Sequence, residues 1–342
     1  MKSSWTLGSL GRLLKSIVFC AVLIVLLSAV SFVMERAWGT ADGWSSMAET
    51  RGEVDVLAIG SSLTYCTISP MEMWRTKGIT AIDLTGETQR MALGRAYLEQ
   101  ALKASSPKVV LIDIGNLGKQ AGLLARAAHN NLDPMPWGLP RARAIVTTMN
   151  PAYWEELFFP LSLYHSRWSE LSRWDFMPDK DTRDSYARGA AYWKMVVQVA
   201  PNLAPDNVDE TAYMQDLPNL RAMVRMCADR GIKVVLFSSP RGEPLRVAGQ
   251  PFLDRLKSDL SSEFPSLSYL DLNTVAAIGI DPKKDFLETN GGHLNFRGDK
   301  KTSIWLGGYL ASTFDLPDHR HDAFAPQWNA ALKQYDQVFL DW

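Results

Sequence analysis

Three cysteines and five histidines in 342 residues are too few for a disulfide framework or a metal cluster. Cys20 lies in an apolar run, and no Cys/His group has ligand spacing, so neither a metal nor a cofactor is implied. Cys66 and Cys227 read as two buried thiols, with a bridge between them as the alternative. Positive charge is not in excess either. Against 36 basic residues stand 37 acidic ones, a formal net charge of −1, which argues against a nucleic-acid binder. No internal repeat or low-complexity tract occurs, which sets repeat architectures aside.

What is present is a globular composition, 46% hydrophobic, long enough for one large domain plus an appendage or for two small domains. Ser16 through Met34 carry no charge and are rich in Val, Leu and Ile, roughly enough helix to cross a ~30 Å hydrocarbon layer. Lys2, Arg12 and Lys15 precede that run, while Glu35 and Asp42 follow it. The positive-inside bias puts the amino terminus in the cytoplasm and everything after Met34 outside the cell membrane. A cleaved signal peptide is the alternative, with Ser28, Ala29 and Ser31 as its small residues. The apolar run is long for a signal, so an uncleaved single-pass anchor over 1–36 is preferred, followed by a linker at 37–52.

From Val54 onward the pattern changes. Val54–Ile59, Thr80–Leu84, Val109–Ile114, Val234–Phe237 and Leu267–Leu272 are short runs with the content of fully buried strands. Helical stretches separate them. Ser69-Pro-Met-Glu72 is a capping-box signature, and the Leu217, Leu220, Val224, Cys227 spacing ends at Gly231 as a helix would. The alternation predicts an α/β fold: a flavodoxin-like, doubly wound parallel sheet of about five strands over 53–315. Its ligands belong at the carboxyl ends of the strands. Residues 118–216 interrupt the rhythm with many aromatics, Trp137, Phe158, Phe159, Tyr164 and Trp168 among them, and no clear strand. They read as a helical insertion over the site or, equally, as an extension of the core. Residues 316–342 read as a charged tail in which His319 and His321 are solvated.

Chemistry concentrates at the strand ends. Gly60-Ser61-Ser62 follows the first strand, where a tight turn exposes a hydroxyl and aims a backbone N–H at a developing oxyanion. Gly86 follows the second strand, and Gly115-Asn116 follows the third. Near the other end of the chain, Asn290-Gly-Gly-His293 places a histidine in a loop on the same face. Singly, each is as well explained as an ordinary loop residue.

Their order and context resemble the SGNH/GDSL hydrolase superfamily. The resemblance implies Ser62, rather than Ser61, as nucleophile, Gly86 and Asn116 as oxyanion donors, and His293 as general base. Gly115 and Asn116 are adjacent, where the family has a residue between them. Ser61-Ser-Leu-Thr-Tyr-Cys-Thr-Ile-Ser-Pro70, Ala101-Leu-Lys-Ala-Ser-Ser-Pro-Lys-Val-Val110, Tyr164-His-Ser-Arg-Trp168 and His293-Leu-Asn-Phe-Arg-Gly298 are similar to a membrane-anchored bacterial branch of that superfamily. This branch includes proteins of teichoic-acid D-alanylation and alginate O-acetylation. Arg167 would then steady an anionic polymer or acyl group, or form a structural ion pair.

One position departs from the family. An aspartate belongs three residues before the histidine, and this chain has Asn290. In the serine-protease case the equivalent Asp-to-Asn change costs about 10⁴ in turnover. Three readings stand: Asp285 or Glu288 substitutes, Asn290 orients a Ser–His dyad, or the site is inactive. The resemblance implies an exported serine-dependent acyltransferase or esterase, acting through an acyl-serine on a cell-envelope or secreted polysaccharide. For transfer, it implies a membrane-bound O-acyltransferase partner. The alternative is a binding or scaffold protein of a polysaccharide modification or export complex.

Overall fold

Residues of the apolar runs point alternately to opposite faces, as a period of two requires. Leu57, Ile59, Val110, Ile112, Val234 and Leu236 enter one core, while Val56, Ala58, Val109, Leu111, Val235 and Phe237 enter another. A strand buried on both faces needs helices on both sides. The computed structural model has that arrangement; it describes residues 7–35, 41–50, 53–119, 125–176, 185–201, 208–242 and 245–339.

In chain order the first elements are α1 (Leu7–Met34), α2 (Ala41–Glu49), β1 (Val56–Gly60), α3 (Ser62–Tyr65), α4 (Pro70–Lys77), β2 (Ala81–Thr85), α5 (Met91–Ala101) and β3 (Val109–Asp113). Then come α6 (Ala125–Leu132), α7 (Leu139–Thr148), α8 (Trp154–Phe158), α9 (Leu161–Tyr164) and several 3₁₀ turns. The chain closes with α10 (Glu210–Ala228), β4 (Lys233–Ser238), α11 (Leu245–Ser261), β5 (Ser268–Asp271), α12 (Phe296–Phe314) and α13 (Ala325–Phe339). All five strands are parallel, in the order β2-β1-β3-β4-β5. That is the flavodoxin order, whose topological switch point lies beside β1. Residues of α2, α5, α7 and α10 cover one face of the sheet, and α4 and α12 cover the other.

Local signals act as their chemistry requires. The Ser69 hydroxyl accepts the Glu72 amide at 3.4 Å with Pro70 at the first helical position of α4. After α10, Gly231 takes φ +70° and the Ile232 N–H closes onto the Cys227 carbonyl at 3.0 Å, a glycine-dependent carboxyl cap.

The expectations for the linker and for the tail with its histidines change. The stretch read as a linker contains α2, whose Trp44 and Met47 are buried in the main core against β2. An amphipathic turn of small and aromatic residues found a sheet edge to cover. The stretch read as a tail contains α13, whose Trp328 stacks on Trp74 at 5.3 Å and whose Tyr335 is buried. Its His319 bridges Asp55 at 3.0 Å and Asp322 at 2.5 Å instead of facing water alone. Cys66 and Cys227 are both buried and both free, as read from the sequence, and the alternative bridge does not form. Residues 118–216 serve two purposes. Leu132, Met135, Ile145 and Leu157 extend the core, while the Arg188 carbonyl accepts the Asp83 N–H at 2.9 Å along the edge of β2.

Candidate active site

Gly60 ends β1 because nothing larger fits: a Cβ there would lie 2.8 Å from the Asp113 Cβ and collide with the Thr64 side chain. The next residue, Ser61, is extended and caps α3 by accepting the Leu63 N–H at 3.3 Å. Ser62 thus opens a one-turn helix at the carboxyl end of β1, at the switch point. Asp113 braces the helix from β3. Its carboxylate accepts from Thr64 Oγ1 at 2.8 Å, Ser239 Oγ at 3.3 Å and the Gly115 N–H at 2.7 Å. Burial lifts the Asp113 carboxyl above the usual range, although these donors and Arg241 pull it down.

His293 arrives from the loop after β5. Phe286 and Leu294 form an antiparallel bridge, and the Leu287 N–H bonds the His293 carbonyl at 3.0 Å, so the intervening residues fold back as a hairpin. Its turn needs Gly291 at φ +62°. A Cβ at Gly292 would stand 3.0 Å from Glu288 Oε1. The glycine therefore leaves the carboxylate room beside the imidazole.

The three side chains meet. Ser62 Oγ lies 2.8 Å from His293 Nε2, and His293 Nδ1 bonds Glu288 Oε1. A carboxylate at Nδ1 holds the proton there, which leaves Nε2 to accept from the serine hydroxyl. The imidazole is 29% exposed and the Glu288 side chain 37%, so water reaches the relay. Neither Asn290 nor Asp285 occupies the orienting position. The Asn290 Oδ1 accepts the Gly292 N–H at 2.8 Å and closes its own turn. Asp285 is buried against Lys301, with Nζ at 2.6 Å, and accepts the Asp281 N–H at 2.7 Å.

Of the other candidates, Gly86 departs from its expected role. The Gly86 N–H bonds the Gly60 carbonyl at 3.1 Å, which extends the β1–β2 ladder by one step and leaves no donor for an oxyanion. Asn116 sits in the turn after β3, where Gly115 packs against Leu63 of α3 and Arg241. Asn116 is half-buried, and no side-chain hydrogen bond engages it among the described residues. Arg167 forms the structural ion pair that was its alternative: it donates to the Met34 carbonyl at the end of α1 and to Asp175 at 2.9 Å. A guanidinium satisfies the orphan carbonyls of a helix end well.

Two neighbours were not anticipated. Tyr65, three residues after Ser62 in α3, places its phenol close to the Ser62 side chain. Burial, then the nearby Cys66 thiol and Glu87 carboxylate, raise its phenol, which stays protonated. Its i+3 spacing was the available signal. The Ala191 N–H bonds the Tyr65 carbonyl at 3.0 Å and the Trp193 carbonyl accepts the Phe296 N–H at 3.0 Å, so the aromatic segment crosses beside α3. Among the described residues, no group of three His, Cys, Asp or Glu side chains is arranged to hold a metal ion.

No family model matches the sequence, and no curated protein does. Among solved structures, the chain is similar to a candidate acylhydrolase from Bacteroides fragilis, with 12% identity over 82% of this chain and 100% of that one, at a TM-score of 0.39. It is also similar to a GDSL-like lipase from Bacteroides thetaiotaomicron, with 9% identity over 80% of this chain and 98% of that one, at a TM-score of 0.36. These likenesses are too distant to assign a role to any residue.

Proposed function

We propose that the chain is a serine-dependent acyl-transfer enzyme, with Ser62 as nucleophile, His293 as general base and Glu288 as its orienting acid. The observation that carries this reading is the continuous relay from Ser62 Oγ through His293 to the Glu288 carboxylate. His293 Nε2 takes the hydroxyl proton as Ser62 Oγ attacks an acyl carbonyl carbon. The tetrahedral intermediate collapses, and the leaving oxygen or sulfur departs with the proton from His293. An incoming hydroxyl then gives its proton to His293 while it attacks the acyl-serine, and collapse restores Ser62. Negative charge on the intermediate falls to the Ser62 N–H and the Asn116 amide.

The substrate class follows from address and resemblance. The apolar helix Gly11–Met34 supports an anchor in the cell membrane with the site outside. The SGNH/GDSL-like motifs around Ser62 and His293 support acyl groups of a cell-envelope or secreted polysaccharide as the target. For transfer onto the polymer, the acyl donor comes through a membrane-bound O-acyltransferase partner. The exposure of His293 and Glu288 to water favours the second outcome, hydrolysis of such esters. A scaffold that lost its chemistry has no use for the carboxylate at Nδ1.

The test is covalent labelling of the full-length protein in detergent with a serine-directed fluorophosphonate. Labelling of wild type and its abolition in Ser62→Ala is the expected outcome. A wild type inert to the probe and to aryl acetate esters would sink the enzyme reading.

A further inference from the structure

A second recess, of about 830 Å³, shares no lining residue with the Ser62 site. It lies between α1 and the segment from Trp137 to His165, and its size falls within the roughly 300–1,000 Å³ of ligand pockets. One wall is α1 itself, through Ile24, Leu27 and Phe32; the other is formed by Phe158, Phe159 and Leu161.

The depth of that wall can be placed. From Lys15, the last cation, to Met34, α1 rises about 29 Å at ~1.5 Å per residue, which matches a ~30 Å hydrocarbon layer. Ile24 then lies about 15 Å below Met34, near the midplane. The recess therefore spans one leaflet, the outer one. Ile24 and Leu27 are 64% and 49% exposed, so protein does not cover them. On the other wall Phe159 is 69% exposed, and Trp168 and Phe176, which follow in the chain outside the recess lining, are 66% and 61% exposed. Facing water, such a patch is unusual; at a membrane interface, aromatics of this kind are the expected anchors. The two walls are tied together at the top, where Arg167 bonds both the Met34 carbonyl and Asp175.

We infer that the segment Phe158–His165 dips into the outer leaflet beside α1 and that the recess takes an acyl chain of a membrane phospholipid. The inference rests on α1 being a membrane-spanning anchor. Its consequence is mechanical. The catalytic domain sits at one height and orientation on the bilayer instead of swinging on a free tether.

The experiment uses the full-length protein in vesicles of phosphatidylcholine carrying a diazirine in mid-chain. After irradiation, lipid adducts are mapped by mass spectrometry, and alkaline extraction reports separately whether the protein is integral. Adducts on Phe158–His165 as well as on α1 are expected. Ser28→Trp, which fills the recess from the helix side while keeping α1 apolar, should lower the Phe158–His165 adducts by at least about fivefold and leave the other α1 adducts in place. An integral protein labelled on α1 alone would overturn the inference and leave the anchor standing. Equal labelling of Ser28→Trp would overturn the recess as the binding place. Release of the protein by alkali would overturn both the anchor and the inference.

Discussion

Glu288 reaches His293 across a hairpin turn that Asn290 closes from within. The carboxylate bonds Nδ1 of the imidazole, while the Asn290 Oδ1 takes the Gly292 N–H at 2.8 Å. Gly292 has no Cβ to block Glu288, and Gly291 at φ +62° reverses the chain. The carboxylate at Nδ1 thus comes from five residues before the histidine rather than three, and a longer side chain spans the difference.

Glu288→Gln is expected to slow ester hydrolysis by about 10–10³-fold. This is less than the ~10⁴ of a buried serine-protease aspartate, because water already screens this carboxylate. Asn290→Asp should change kcat/KM by less than about threefold, as a loop substitution away from the relay does. Steady-state hydrolysis of an aryl acetate by the two variants checks the pair. A large gain in Asn290→Asp would return the orienting role to position 290.

Tyr65→Phe removes the phenol that meets the Ser62 side chain. A neutral hydrogen bond from that phenol to Ser62 on attack would be worth about 0.5–1.5 kcal/mol, so the rate of fluorophosphonate labelling should fall by roughly 2–13-fold with the fold intact. Unchanged labelling kinetics would reduce Tyr65 to a packing residue.

Gly86→Ala should destabilise the protein by about 1–3 kcal/mol through overpacking. The new methyl collides with the Asn131 side chain, which is fully buried and held by donating to the Glu87 carbonyl at 2.9 Å and the Ala127 carbonyl at 2.6 Å. Thermal unfolding of Gly86→Ala, Asn131→Ala and the double variant should show less than additive losses. Additive losses would mean that the clash is not with Asn131.

Asp83 gives the protein a pH dependence of known sign. It is wholly buried, neither oxygen has a hydrogen-bond partner among the described residues, and burial, then Asp299, raise its carboxyl well above the usual range. The folded state therefore binds a proton that the unfolded chain releases near pH 4. Stability is full below that pH and declines as pH rises toward the folded value. Asp83→Asn removes the decline, so its gain in unfolding temperature over wild type should be larger at pH 8 than at pH 5. An equal gain at both would show that Asp83 does not titrate on folding.

Much of this was legible because it is local. The five strands are runs of Val, Ile and Leu, and they differ from their sequence boundaries by only one or two residues at either end. Ser69, Pro70 and Gly231 act within a few residues of themselves. Ser62 and His293 stood out through their turn chemistry and order. The function of α2 and α13 was hidden, since their few apolar residues are meaningful only against the β2 edge and the Trp74 face that they cover. Arg167 stayed open for the same reason: a binding residue and a structural ion pair read alike until the partners on Met34 and Asp175 are known.

From its residues alone the chain already set the layered α/β plan, the apolar amino-terminal helix and the serine and histidine at strand ends, because periodicity and turn chemistry are short-range properties. The choice of Glu288 over Asn290 and Asp285, the loss of the Gly86 donor to the β1–β2 ladder, and the seating of the aromatic segment against α1 were decided only in three dimensions. Each depends on which distant group arrives first at a buried donor or an open face, and spacing along the chain does not encode that competition.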